Sequence, residues 1–113
     1  MNLWKETINK LESNRKSFDD VMIICGNDFQ ITKDNFERIA KKTDYDNGYG
    51  GQEVAHDLKI IGDGFTMIRN EYDGSEWWEF ISNEGIPKKI KAIKRLVHPT
   101  ISCISLKEIQ EEE

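Results

Sequence analysis

The chain has 113 residues, 37% hydrophobic and 33% charged, with a formal net charge of −5. That length fits a single domain, residues 1–113, with its own core, and aromatic residues spread along the chain argue against disorder. The acidic balance disfavours nucleic acid as a direct ligand and an anionic membrane surface as a partner, because phosphate repels a carboxylate-rich protein.

The charge is unevenly placed. Lys88, Lys89, Lys91, Lys94 and Arg95 lie within eight residues, which leaves 11 basic residues against 21 acidic ones elsewhere. This basic segment reads as a solvated helix face or as a phosphate contact. Cys25 and Cys103 each sit among aliphatic residues and read as buried free thiols rather than a disulfide. Met1-Asn2-Leu3-Trp4-Lys5-Glu6 does not read as a secretory signal. No apolar run approaches the roughly 20 residues that cross a bilayer. A cytoplasmic location is the expectation.

In chain order, Trp4, Ile8 and Leu11 predict an amphipathic helix over 3–16. Val21 to Cys25 predicts a buried strand, and Gly26-Asn27-Asp28 a turn. Thr32 is an N-cap for a helix over 33–42, with Ile31 and Phe36 as a hydrophobic staple and Phe36, Ile39 and Ala40 as the buried side. Residues 43–53, with three glycines and two tyrosines, form a long loop. A three-stranded meander follows: Leu58 to Ile61, a turn at Gly62-Asp63-Gly64, Phe65 to Tyr72, a two-residue turn at Asp73-Gly74, and Ser75 to Ile81. Ile86, Ile90, Ile93 and Val97 fit a helical stripe that Pro99 would stop. Thr100 to Ile104 fits a strand, and Ser105-Leu106-Lys107-Glu108 a capping box for a short last helix. The acidic tail 111–113 is expected to fray. The fold class is therefore α+β: a small antiparallel sheet, with a hairpin turn at 73–74, packed with N-terminal and central helices.

The turn sets the register of the hairpin. Tyr72 faces Ser75, Glu71 faces Glu76, Asn70 faces Trp77, Arg69 faces Trp78, and Met67 faces Phe80. One side then carries Phe65, Met67, Trp78 and Phe80, with Arg69 able to lie over Trp78. The other carries Tyr72, Trp77, Ile68 and Ile81. Two readings compete. Helices cover one side and the long loop or C-terminal segment the other, or one tryptophan is exposed and marks a contact surface. Trp77 is the better candidate, since Asn70 and Glu79 beside it are polar. Glu71 and Glu76, like charges across the ladder, read as solvated or, with Asp73, as an acidic knob for a basic partner.

Motifs for catalysis and metals are sparse. Asp44-Tyr45-Asp46-Asn47-Gly48 departs from a calcium loop, because its glycine is one place early and the twelfth position is Ala55. No cysteine or histidine spacing matches zinc, and no phosphate-binding or nucleophile-elbow motif occurs. No cofactor or metal is expected. Tyr45, Tyr49, His56 and Asp57 near one loop leave room for a small acid–base site.

The runs Tyr45-Asp46-x-Gly48-Tyr49-Gly50, Val54-Ala55-x-Asp57-Leu58-x-Ile60-Ile61-Gly62-Asp63 and Glu71-Tyr72-Asp73-Gly74-Ser75-Glu76-Trp77-Trp78-Glu79-Phe80 resemble a group of small proteins of phages and prophages of Gram-positive bacteria. The resemblance spans Tyr45 to Phe80. It implies a phage accessory gene acting in the host cell cytoplasm, and it carries over no catalytic or binding residues. In that context the leading expectation is a non-catalytic protein that binds and inhibits or adapts a host protein with a basic surface, such as a nucleic-acid-binding enzyme of a CRISPR defence. Its contact residues would be Glu71, Tyr72, Asp73, Glu76 and Trp77. A nucleotide or nucleotide-signal binder is the second expectation, with Tyr45, Asp46, Tyr49, Gly50 and Gly51 as the ligand loop and Trp77 as a further stacking platform. A small enzyme using loop carboxylates and His56 is the third. A homodimer is compatible with each.

Overall fold

The computed structural model describes residues 1–46, 48, 50–83, 87 and 89–111. Tyr49, Ile86, Lys88 and Glu112-Glu113 of the expectations above lie outside the described residues. The first helix, α1 (Leu3–Ser13), starts where the Asn2 side chain accepts the Lys5 N–H at 3.1 Å. It stops three residues before the expected end. Arg15 turns left-handed (φ 62°), while the Arg15 and Lys16 N–H groups donate back to the Glu12 and Leu11 carbonyls. These bonds are a Schellman closure with arginine in the glycine position. The buried stripe is Leu3, Thr7 and Leu11, with Trp4 and Ile8 half-buried beside it. Thr7 is tolerated inside because its hydroxyl donates to the Leu3 carbonyl and accepts the Trp78 Nε1–H at 2.9 Å.

Strand β1 (Val21–Cys25) turns through Gly26–Phe29 into a two-residue strand β2 (Gln30–Ile31), too short to register as a pattern. Helix α2 (Lys33–Ala40) is capped by Thr32, whose Oγ1 accepts the Asn35 N–H. Phe36 and Ala40 are buried as expected, but Ile39 is half exposed. After the loop come β3 (Lys59–Gly62), β4 (Phe65–Tyr72) and β5 (Ser75–Ser82). All pairings are antiparallel, in the order β2-β1-β3-β4-β5. The domain is thus α+β, with the meander where the sequence predicts it. The β4–β5 register agrees residue for residue with the one derived from the Asp73-Gly74 turn.

Side-chain alternation divides the sheet into two faces. On one, Ile31, Ile24, Ile60, Met67 and Phe80 form a continuous cross-strand row. The helices lie on this face, α2 against β1 and α1 against β5. Trp4, Phe18 and Phe36 fill the space between them, with Trp4 edge-on to Phe18 at 4.9 Å. Gly62 is required here for space. A Cβ at this position would lie 2.2 Å from a Phe65 ring carbon and 2.7 Å from the Asp20 carbonyl oxygen.

The C-terminal third departs from expectation. Residues 89–97 form no helix. Five cations lie within 88–95, with no acid among them to pair at i±4, and a helix of about a dozen residues is marginal without packing. The Lys94 and Arg95 N–H groups are instead taken by the Gln110 side chain. The strand expected at 100–104 is also absent. His98 Nδ1 accepts the Thr100 and Ile101 N–H groups in a local turn, and Cys103 is left-handed (φ 60°) and exposed rather than buried. The last helix, α3 (Leu106–Glu111), forms with Ser105 Oγ accepting the Glu108 N–H, the capping geometry its sequence predicts. Glu111, placed in the frayed tail by the sequence, belongs to this helix. No described helix is long and apolar enough to cross a membrane.

Candidate functional site

Two features stand out, one buried and one exposed, on opposite faces of the same hairpin. The buried one centres on Arg69. Its guanidinium donates through Nη1 to Glu6 at 2.8 Å, and through Nη2 to Glu76 at 2.7 Å and to the Tyr45 hydroxyl at 3.2 Å. It lies 4.9 Å from the Trp78 ring centroid and 5.6 Å from that of Tyr45. Burial alone would lower the Arg69 pKa, but hydrogen bonds to Glu76, Tyr45 and Glu6 reverse the sign and hold its proton more tightly than in water.

Glu76 is the main correction to the sequence reading. It was expected in water at the hairpin tip, and it lies inside, 2% exposed. Alternation along β5 puts residues 76, 78 and 80 on one side, and a diagonal step across the ladder brings Glu76 to Arg69. The second function of this carboxylate is to hold the loop. It accepts the Glu53 N–H at 2.6 Å and the Val54 N–H at 3.3 Å. Glu71, opposite in register, stays in solvent, so the repulsion expected between the two is offset by Arg69 beside Glu76. The acidic knob is therefore reduced to Glu71 and Asp73.

The predicted ligand loop is recruited to the same network. Tyr45 is buried, 8% exposed, and its hydroxyl donates to Glu6. Its backbone N–H donates to the Met1 carbonyl, while its own carbonyl accepts from the Met1 ammonium. Burial, and then the bond to Glu6, push its pKa from 10.0 up to about 12. The Asp46 side chain accepts the Gly48 N–H, and the Asp46 N–H donates to Glu53. Gly48 bridges to Ser75, and Gly50, at φ 81°, and Gly51 are exposed. A ring locked in this way cannot stack on a base.

The Tyr45 shift sets a pH signature. The folded state keeps the phenol protonated where the unfolded chain would ionise it, so the folded state binds more protons between pH 10 and about 12. Stability contributed by Tyr45 is complete below pH 10 and falls as pH rises through that window. In urea titrations across it, Tyr45→Phe is expected to lose stability less steeply than the wild type; equal slopes would contradict the assignment.

The exposed feature is the other face. Tyr72 is exposed, Trp77 is 38% exposed, and Trp78, one residue on, is 1% exposed. Below them the rows Asn70–Trp77, Ile68–Glu79 and Thr66–Ile81 continue across β3 to Ile61 and β1 to Ile23. No described helix packs on this side. The tip is a tight turn with Asp73 (φ 50°) and Gly74 (φ 87°) both left-handed, as a two-residue hairpin of this type demands. Of the predicted contact residues, Tyr72 and Trp77 lie on this face with Asp73 at the turn, Glu71 is exposed at the tip but on the side of Arg69 and Glu76, and Glu76 is buried.

The remaining candidates lie elsewhere. His56 is exposed. The carboxylate of Asp57 accepts the Asn27 N–H at 2.9 Å, which lowers its pKa, and it presses against Gly26, so it braces the β1–β2 turn. Among the described residues no cluster of His, Cys, Asp and Glu is arranged to hold a metal ion. Sequence reasoning missed the Glu6–Arg69–Glu76 network. The available signal was parity: Glu76 shares the side of Trp78, over which Arg69 was already placed.

Comparison with protein-family models, curated proteins and solved structures finds no match. The protein is an antiparallel α+β domain in which the described helices α1 and α2 cover one face of the sheet.

Proposed function

We propose that this protein is a non-catalytic binding module that uses its hairpin tip to engage a basic host protein. The observation that supports this most is the pair of indoles. Trp78 is spent on the core, while Trp77 is held in water beside Tyr72, with Glu71 and Asp73 at the turn. Rigid aromatic rings flanked by charge make binding hot spots, and the acids would steer a cationic partner. The resemblance to small phage proteins supplies the context: an accessory protein that inhibits or adapts host machinery, occupying a Lys- and Arg-rich groove that normally holds nucleic acid. The locked Tyr45 removes one of the three rings, Tyr45, Tyr49 and Trp77, on which the nucleotide-binding reading relied. The enzyme reading has less support, since His56 is exposed and Asp57 is engaged as a turn brace.

The test is affinity capture from a bacterial lysate with the wild type and with the double variant Glu71→Lys/Asp73→Asn. Asparagine is chosen at 73 because it accepts the left-handed backbone. A basic protein held by the wild type and lost from the variant, with unchanged thermal unfolding, is the expected result. Equal capture by both proteins would remove the reading.

A further inference from the structure

Two surfaces of this chain are apolar and exposed, and one of them is basic while the rest of the chain is acidic. The first is the end of the open sheet face away from the hairpin tip. Ile23, Ile61 and Ile81 share a cross-strand row there, next to one holding Lys59, Ile68 and Glu79. The second is the segment 89–97, where Ile90 is 95% exposed, Leu96 and Val97 are also exposed, and Lys89, Lys91 and Lys94 lie in water among them. Aliphatic groups exposed in such a cluster mark contact surfaces. The segment is also fastened at its end. Gln110 accepts the Lys94 and Arg95 N–H groups and donates to the Arg95 carbonyl, and Arg95 Nε donates to the Ile109 carbonyl. Segment and α3 thus form one unit. The radius of gyration is 19.1 Å and the long axis 60 Å, where a collapsed chain of this length would have a radius of about 13 Å.

We infer that residues 89–97 of one copy dock across the Ile23–Ile61–Ile81 row of a second copy, and reciprocally, forming a two-fold dimer. Each chain carries both halves of the contact, so one rotation satisfies both and closes the assembly. Charge favours this occupant. The segment holds four of the chain's cations, and the remainder carries 12 basic residues against 21 acidic ones, so the body of a second copy attracts what its own segment presents. An anionic bilayer would attract the segment and repel the rest of the molecule. Because the docking row lies at the other end of the sheet, Glu71, Tyr72 and Asp73 remain free, and this inference does not depend on the proposed function.

The experiment is sedimentation equilibrium of the full chain over roughly a hundredfold range of concentration, with two variants. Ile90→Asp alters a side chain that is almost wholly in water, and Ile81→Lys alters one that is half exposed, so both are expected to fold. The wild type is expected to dimerise, and each variant to weaken the dimer at least about tenfold. An equimolar mixture of the two should regain part of the association, because one intact segment then meets one intact row. A wild type that stays monomeric would overturn the inference, whether its segment folds back on its own sheet or pellets with phosphatidylglycerol vesicles. So would a dimer indifferent to Ile81→Lys, or a mixture that stays as dissociated as its components.

Discussion

Arg69→Met is expected to destabilise the domain by about 3–5 kcal/mol, the range for a buried ion pair that loses one partner. The methionine fills a similar volume against the Trp78 and Tyr45 rings, so packing loss is a minor part of the effect. What remains is electrostatic. Glu76, 2% exposed, would keep two backbone N–H donors but lose the Arg69 cation, and Glu6 would lose the same partner. Arg69→Lys should recover only part of the loss, because one ammonium cannot span Glu6, Glu76 and the Tyr45 hydroxyl in the plane a guanidinium provides. Urea unfolding with a constant m-value is the measurement. A loss below about 1 kcal/mol, the range of surface ion pairs, would mean that the network does not hold the loop to the sheet.

The second large effect separates two adjacent residues. Trp78→Ala removes a ring that is 1% exposed, together with its hydrogen bond to Thr7 and the platform under Arg69. A cost of about 3–5 kcal/mol is expected, enough to unfold much of a marginally stable domain. Trp77→Ala removes a ring on the open face. Its expected effect on stability is within about 1 kcal/mol, while affinity for the captured partner should fall by about 2 kcal/mol or more, some thirtyfold. Thermal unfolding and titration calorimetry on both variants separate the roles. If Trp77→Ala unfolds the domain and leaves partner affinity intact, the exposed indole is structural and the binding surface lies elsewhere.

The parts of this fold that are legible in the sequence are those governed by local chemistry. Asp73-Gly74 admits one tight turn, and that turn fixes every pairing from Tyr72–Ser75 down to Thr66–Ile81. Thr32 and Ser105 announce helix starts because their hydroxyls satisfy the N–H groups that follow. The candidate site is legible only in part. Tyr72, Asp73 and Trp77 follow from register, but the burial of Glu76 is decided by Arg69 across the hairpin together with the amides of Glu53 and Val54, more than twenty residues away in sequence. A carboxylate in a polar hairpin looks solvated until those partners are placed. The stripe at Ile86, Ile90, Ile93 and Val97 misleads for the converse reason. Its periodicity is helical, yet the described part, residues 89–97, carries no acid of its own among its lysines, and the backbone N–H groups of Lys94 and Arg95 are taken by Gln110.

The central claim is that Trp77, and not Trp78, is the recognition ring of the hairpin. Hydroxyl-radical footprinting of the free protein and of its complex with the captured partner tests it most directly. Rapid oxidation of Trp77 and Tyr72 in the free protein, silence at Trp78 throughout, and loss of the Trp77 signal on binding are expected. Equal oxidation of both indoles in the free state, or a Trp77 signal that the partner leaves unchanged, would contradict it.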